Sequence, residues 1–286
     1  MPALERGFQF GDGVYETLRT YGRVPFRLTS HIARLRRSAA ALGIEPPLSD
    51  RDLAEVLTGG IRRMPTAAAE VPAAEVSAAE VSVRVLVTRG VSSLSYGLPA
   101  QPAPELYAFF SPLPARPQGL LENGVRVLTL VEEKAARFAA VKLMNGVPSI
   151  LALSHARRQG AYEVLRVDRS GRLLEGFISN VSAVKGRKLF TAPVSEGILD
   201  GVTRGVVLER ARALGLDVVE APLPLADALA SDELFLSHTS AGVVPVVAVD
   251  DRPIGNGRPG DVTRALAAWF DGLPAGDAAL PGSCMS

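Results

Sequence analysis

The sequence predicts an α/β fold of the α+β kind, divided into two domains. Two observations predict it. Short β-branched alternating runs and amphipathic helical runs succeed one another along the whole chain, and the proline-rich stretch "SPLPARPQG" interrupts them once. Nearly half of the 286 residues are apolar, enough for a substantial core. The formal net charge is +1 with both signs interspersed, which gives no footprint for nucleic acid or an anionic membrane. No apolar run approaches the length of a membrane span, and "MPALERGFQF" lacks the features of a signal peptide, so a cytoplasmic location is expected. The single cysteine, Cys284, excludes a disulfide framework and a cysteine metal site, and three scattered histidines argue against a histidine-rich metal centre.

The elements follow in order. "HIARLRRSAAALGI" places Ile32, Leu35, Ala39 and Leu42 at helical spacing, with Gly43 as the stop. "DLAEVLTGGIRRM" predicts a second helix. Residues 65–80 repeat Ala-Ala-Glu-Val every five residues, a period that suits neither a helical face nor a strand, and read as a low-complexity insertion. "VSVRVLVTRG" alternates as a strand, and "LYAFFSPLPARPQG" carries another into the proline-rich boundary. Beyond it "GVRVLTLV" predicts a strand and "SILALSHARRQGA" a helix, while "RSGR" and "KGRK" mark strand–turn–strand units. "GVTRGVVLERARALGLDVVEAPL" predicts a helix and a strand. "ELFLSHTSAGVVPVVAVDDRPIG" predicts two strands joined by a loop, and "GDVTRALAAWFDGL" a final helix. The expected division is an N-terminal α/β domain over 1–114, a linker over 115–120, a larger second domain over 121–272 and a flexible tail over 273–286.

Candidate chemistry starts from lysine usage. Only four of the 31 basic side chains are lysine: Lys134, Lys142, Lys185 and Lys188. Arginine serves wherever a plain positive charge is needed. Lys134 follows two glutamates, and Lys185 and Lys188 lie in the turn "KGRK"; only Lys142, in "FAAVKLMNGVPSILA", has apolar neighbours. Lysine, unlike arginine, can lose its proton when desolvated and then attack a carbonyl. Read locally, Lys142 is either such an amine or a charge that snorkels from an apolar strand. A carbonyl cofactor such as pyridoxal phosphate would also need a carboxylate for its pyridine nitrogen and a cup for its phosphate. "LLEGFISN" offers Glu175, and "ILDGVTRG" puts Gly201, Val202 and Thr203 at the start of a helix, where free N–H groups favour an anion, unless Asp200 or Thr203 merely caps it. "SHTSAG" is a second hydroxyl-rich turn, and "HIARL" offers Arg34.

Together and in this order these segments resemble the fold-type IV pyridoxal-phosphate enzymes: branched-chain and D-amino acid aminotransferases, R-selective amine aminotransferases and aminodeoxychorismate lyases. The matching stretches are "RGFQFGDGVYETLRTYGRVPFRLTSHIARLRRSA", "VKLMN", "GAYEVLRVDRSGRLLEGFISNVSAV", "GILDGVTRGVV", "DELFLSHTSAGVVPV" and "IGNGRPGDVTRAL". The resemblance implies a smaller N-terminal and a larger C-terminal domain with pyridoxal 5'-phosphate between them. It implies that Lys142 holds the cofactor as an internal aldimine and shuttles the substrate proton, and that Glu175 pairs with the pyridine nitrogen. It assigns Arg34, Val202, Thr203 and Thr239 to the phosphate cup, with a backbone contact from His238, and packs Leu199 on the ring. Asn180 shares the turn of Glu175. Tyr15, Arg84, Tyr96 and Ser240 are the implied substrate-side residues. The implied partners are an amino donor and a 2-oxo acid acceptor, with no nucleic acid or membrane, and the implied assembly is a homodimer. An opening hairpin ahead of the "RGFQFG" match is also implied; either the start site is later than usual or the domain has lost an edge strand pair, which would leave a sheet edge exposed.

Departures from the relatives limit the substrate assignment. D-amino acid aminotransferases hold the substrate carboxylate with an arginine and a histidine in the loop after the "VTRG" strand; Leu94 and Tyr96 stand there. Branched-chain enzymes carry a tyrosine and an arginine within that strand; Ser82 and Arg84 stand there, and Gly146 replaces a tyrosine after "VKLMN". The expected activity is an aminotransferase acting on a D-amino acid, a branched-chain amino acid or an amine. The alternative is a 4-amino-4-deoxychorismate lyase, which would release pyruvate without an amino acceptor.

Overall fold

Alternation in the first third of the chain builds a sheet with one apolar and one open face. The computed structural model describes residues 2–65, 76–132 and 138–273, and the chain divides into two compact units. The first contains Met1–Ala115 and Val141–Asn145; the second contains Arg116–Ala140 and Gly146–Gly272. The tail beyond Leu273, with Cys284, and Lys134 lie outside the described residues.

In the first unit α1 (Arg6–Phe10) precedes β1 (Gly13–Tyr21) and β2 (Val24–Pro25). Then come α2 (Leu28–Ala41), α3 (Asp50–Arg63), β3 (Val76–Thr88) and β4 (Glu105–Pro114). The strands form an antiparallel sheet of order β2-β1-β3-β4. Val81, Val83, Val85 and Val87 of β3 are all buried and pack with Leu18, Ile32, Leu35, Leu53, Leu57 and Ile61, so both helices cover the valine face. The insertion reading of 65–80 is corrected at its end. Val76–Glu80 belongs to β3, paired with β4 from Val76↔Pro114, because a neighbouring strand supplies ladder partners that local pattern cannot reveal. Glu80 also accepts the Gly22 N–H at 2.7 Å. Residues 66–75 lie outside the described residues.

The segment Val141–Asn145 runs beside the start of β1. Leu143 bridges to Val14, the Tyr15 N–H donates to the Lys142 carbonyl at 2.9 Å, and the Met144 N–H donates to Gly13 at 3.0 Å. These bonds attach it to the first unit, although the sequence assigns 121–272 continuously to the second domain.

In the second unit α4 (Leu120–Asn123), β5 (Val125–Val131) and α5 (Val147–Arg158) lead into β6 (Glu163–Val167), β7 (Arg172–Gly176), β8 (Asn180–Lys185) and β9 (Lys188–Thr191). Then come α6 (Val202–Ala213), β10 (Asp217–Glu220), β11 (Leu223–Pro224), α7 (Leu225–Leu229), β12 (Glu233–His238), β13 (Gly242–Val249), β14 (Arg252–Pro253) and α8 (Asp261–Asp271). The pairings close a ring of strands, β8-β12-β13-β5-β6-β7 and back to β8, from which β9 with β10, β11 and β14 extend. Glu175 opposite Asn180 is the pair that closes it. The core inside includes Val127, Leu165, Leu173, Val181, Leu234, Leu236 and Val244. Among the described residues no helix is long and apolar enough to cross a membrane.

One polar cluster is buried in the first unit. The Arg34 Nε and Nη2 donate to the two Glu16 oxygens at 2.7 and 2.8 Å, and His31 Nδ1 lies 2.8 Å from Oε2. Burial alone would raise the Glu16 carboxyl, but the charge and hydrogen bonds of Arg34, aided by His31, hold it at about 2. Burial lowers His31, and the Glu16 bond opposes that only in part. His31 is therefore neutral near pH 7, with Nδ1–H donating to Glu16 and Nε2 buried without a hydrogen-bond partner. Both folded values lie below the ordinary 4.5 and 6.5, so both groups stabilise the fold at neutral pH. His31 loses its contribution as pH falls below 6.5, and Glu16 loses its own between 4.5 and 2. Glu16→Gln, which strands the buried Arg34 charge, is expected to cost about 3–5 kcal/mol at pH 7. It should also flatten the loss of stability between pH 4.5 and 2. Urea unfolding across pH checks both; an unchanged acid slope would show that the Glu16 carboxylate is not what holds Arg34.

Candidate active site

The lysine singled out by the sequence is half-buried and lies over an aromatic ring. Lys142 Nζ sits 4.4 Å from the centroid of Tyr15, and the Arg84 guanidinium lies 4.4 Å from the same centroid. Two cations against one π-face system hold that ring electrostatically as well as by packing. Register explains the arrangement. Thr17 opposes Arg84 and Tyr15 opposes Leu86, so Tyr15 and Arg84 are diagonal neighbours on the face opposite the valines. That face also carries Ser82 and, opposite Arg84 on β4, the exposed Phe109. The backbone of Lys142 is fixed separately: its carbonyl accepts from Tyr15, and its N–H donates to Ser38 Oγ at 3.3 Å. Arg34, expected at the phosphate, is buried in the Glu16 cluster of the same unit.

In the second unit Glu175 is buried near the end of β7. Its Oε2 accepts the Leu199 N–H at 2.9 Å and the Asn180 Nδ2–H at 3.4 Å. Its Oε1 lies 3.7 Å from Arg166 Nη1. Asn180 also donates to the Leu199 carbonyl at 2.9 Å. Its Oδ1 would lie 1.9 Å from a Cβ at position 201, so Gly201 is required by this close approach. Gly201 is the N-cap of α6, with no side-chain cap and no acidic residue in the first turn. The helix therefore begins with uncapped N–H groups at Val202 and Thr203, and the Thr203 hydroxyl is buried there. Such an end suits an anion. One amide thus ties the carboxylate of β7 to the uncapped start of α6.

Thr239 and Ser240 lie half-buried in the turn between β12 and β13. The His238 side chain turns to Tyr162, with Nε2 3.1 Å from the hydroxyl. Tyr96 stands apart from the other substrate-side candidates. It is 89% exposed on a loop that Arg6 pins by donating to Ser92 Oγ and to the carbonyls of Ser95 and Gly97, and its ring meets Phe10 at 5.2 Å. Leu94 on that loop is exposed as well. Sequence reasoning missed Arg166, Glu163, Glu16 and His31. The signal was present for two of them: "YEVLRV" sets two charges within a continuous apolar run, and every residue of β6 is buried.

Comparisons with known proteins identify the family. The profile of the family described as "Amino-transferase class IV" matches residues 13–249. The chain is 34% identical over 270 residues to a putative branched-chain-amino-acid aminotransferase of Methanocaldococcus jannaschii, covering 93% of this chain and 88% of that one. It is 32% identical over 260 residues to the D-alanine aminotransferase of Bacillus licheniformis, covering 91% and 87%. Its fold superposes on a hypothetical aminotransferase from Mycobacterium tuberculosis, solved in its alpha-ketoglutarate- and PMP-bound form, with a TM-score of 0.80 and 27% identity over 95% of this chain and 92% of that one. The chain thus belongs to the class IV amino-transferases, the fold-type IV family of pyridoxal 5'-phosphate enzymes.

Proposed function

We propose that this enzyme moves an amino group between an amino acid or amine, of the D- or branched-chain type, and a 2-oxo acid, with the cofactor attached covalently through Lys142. The carrying observation is the Lys142 amine over Tyr15 in a segment whose backbone is bonded on both sides. Bound cofactor supplies an electron sink for the carbanion at the substrate carbon. The residues of this chain fit that group: an amine, a buried carboxylate met by two neutral donors and by Arg166, and an uncapped helix end with a buried hydroxyl. Lys142 Nζ takes the proton from the substrate carbon and returns it. Glu175 accepts the pyridine N–H and favours its charged form. The first N–H groups of α6 with Thr203, and the turn at His238 and Thr239, would receive the phosphate. Leu199 packs on the ring.

Homodimer formation is part of the same reading. Val147, Ile150 and Leu151, on one face of α5, are each about 60% exposed, and Ile178 is exposed on the turn that α5 contacts through Ser149. An apolar face of this kind fits a second copy. A cytoplasmic location is the companion expectation.

The function is tested by a half-reaction. Mixing the cofactor-loaded enzyme with single D- and L-amino acids should bleach the visible-edge band of lysine-bound cofactor for one enantiomer class, and Lys142→Ala should lack the band. Repeated turnover of 4-amino-4-deoxychorismate to pyruvate with no acceptor present would favour the lyase instead.

We propose further that Arg84 acts on the substrate carboxylate, directly or through Tyr15. A charge-assisted contact contributes about 1.5–3 kcal/mol, so Arg84→Leu should raise KM for amino and 2-oxo acids by about tenfold or more. KM for a carboxylate-free amine such as 1-phenylethylamine should barely change. Steady-state kinetics on both classes checks this; equal effects on both would make Arg84 an ordinary surface charge.

A further inference from the structure

A second buried carboxylate lies behind the first. Glu163, at the start of β6, is fully buried. Its Oε1 accepts the Ile178 N–H at 2.6 Å and its Oε2 accepts the Ser179 hydroxyl at 2.8 Å. These two residues belong to the tight turn that joins β7 to β8, closed by the Gly176 N–H on the Ser179 carbonyl at 2.9 Å. Glycine at position 176 makes room for this contact: a Cβ there would lie 2.4 Å from Glu163 Oε1 and 2.5 Å from Ser179 Oγ, so the carboxylate would have to shift. Glu175 immediately precedes this turn and Asn180 immediately follows it, as the pair that closes the strand ring. The turn thus makes few choices of its own, and a carboxylate from a third strand sets its shape.

We propose that Glu163 is a positioning residue for the reaction, fixing through the 176–179 turn the place of Glu175 and of the Asn180 amide that holds it. The proposal rests on the reading that Glu175 meets the pyridine nitrogen. Burial drives the Glu163 carboxyl up to about 7, with the nearby Glu175 charge adding to the rise and Ile178, Ser179 and Arg166 opposing it. A partly protonated Glu163 supports the turn without setting a second full negative charge beside Glu175. Arg166 serves both acids from the same strand: its Nη1 faces Glu175, and its guanidinium stacks on Phe177 of the turn at 3.7 Å.

The test uses the cofactor-loaded enzyme with 15N in the cofactor ring, in Glu163→Ala, Glu163→Gln and Glu175→Gln. Glutamine keeps both contacts, since its carbonyl accepts from Ile178 and its amide donates to the Ser179 oxygen. Glu163→Ala should move the ring-nitrogen resonance toward the unprotonated value and lower kcat by about tenfold or more with KM nearly constant, the scale seen when outer hydrogen-bond partners are removed. Glu163→Gln should restore both. If Glu163→Ala does not fold, Ser179→Ala removes one contact only and should shift the resonance the same way. An unshifted resonance with kcat within about twofold in the folded variant overturns the proposal. If Glu175→Gln also leaves the resonance unmoved, the assignment of Glu175 is what fails.

Discussion

A carboxylate taken out of water must be surrounded by donors or by positive charge, and the second unit is organised by that demand at Glu175. The Leu199 N–H, the Asn180 amide and the Arg166 guanidinium meet it. Each comes from a different place: the segment before α6, the start of β8, and β6. Supplying them fixes much else. Asn180 must approach the chain at 201, so that residue is glycine and α6 starts without a side-chain cap. In the turn from Glu175 to Asn180, Glu163 Oε1 and Ser179 Oγ crowd position 176, where glycine leaves them room. The uncapped start of α6 and the buried Glu175 carboxylate are therefore products of one hydrogen-bond network.

The first unit solves the same problem with stronger partners. Glu16 is paired bidentately with Arg34, which keeps both charges inside a core otherwise made of valine, leucine and isoleucine. Glu16 and Tyr15 are adjacent on β1 and point to opposite faces, so the rigid cluster on one side holds the strand that carries the ring on the other. On that open side Arg84 and Lys142 share Tyr15, while the loop of Leu94 and Tyr96 stays exposed. Under the proposed function, substrate selection would fall to the β1–β3 face rather than to a charged trap on the loop.

Much of this was legible in the sequence, for reasons that differ by residue. The valine alternation of β3 gives its faces directly, since burial of one side is all that a period of two requires. The family likeness points to Lys142, Glu175 and Thr203 because their neighbours occur in a fixed order. Arg166, Glu163 and His31 escaped because their roles lie in tertiary pairing: a charge inside an apolar run looks like an interruption until its partner on another element is known. The end of the Ala-Ala-Glu-Val stretch escaped for a related reason. Its composition is weak for any element, and pairing with β4 decides it.

The central claim is that Lys142, and no other lysine, holds the cofactor. Borohydride reduction of the loaded enzyme followed by peptide mapping tests it most directly. The account predicts one reduced cofactor adduct per chain, on the peptide that contains Lys142; an adduct on Lys134, Lys185 or Lys188 in its place would contradict it.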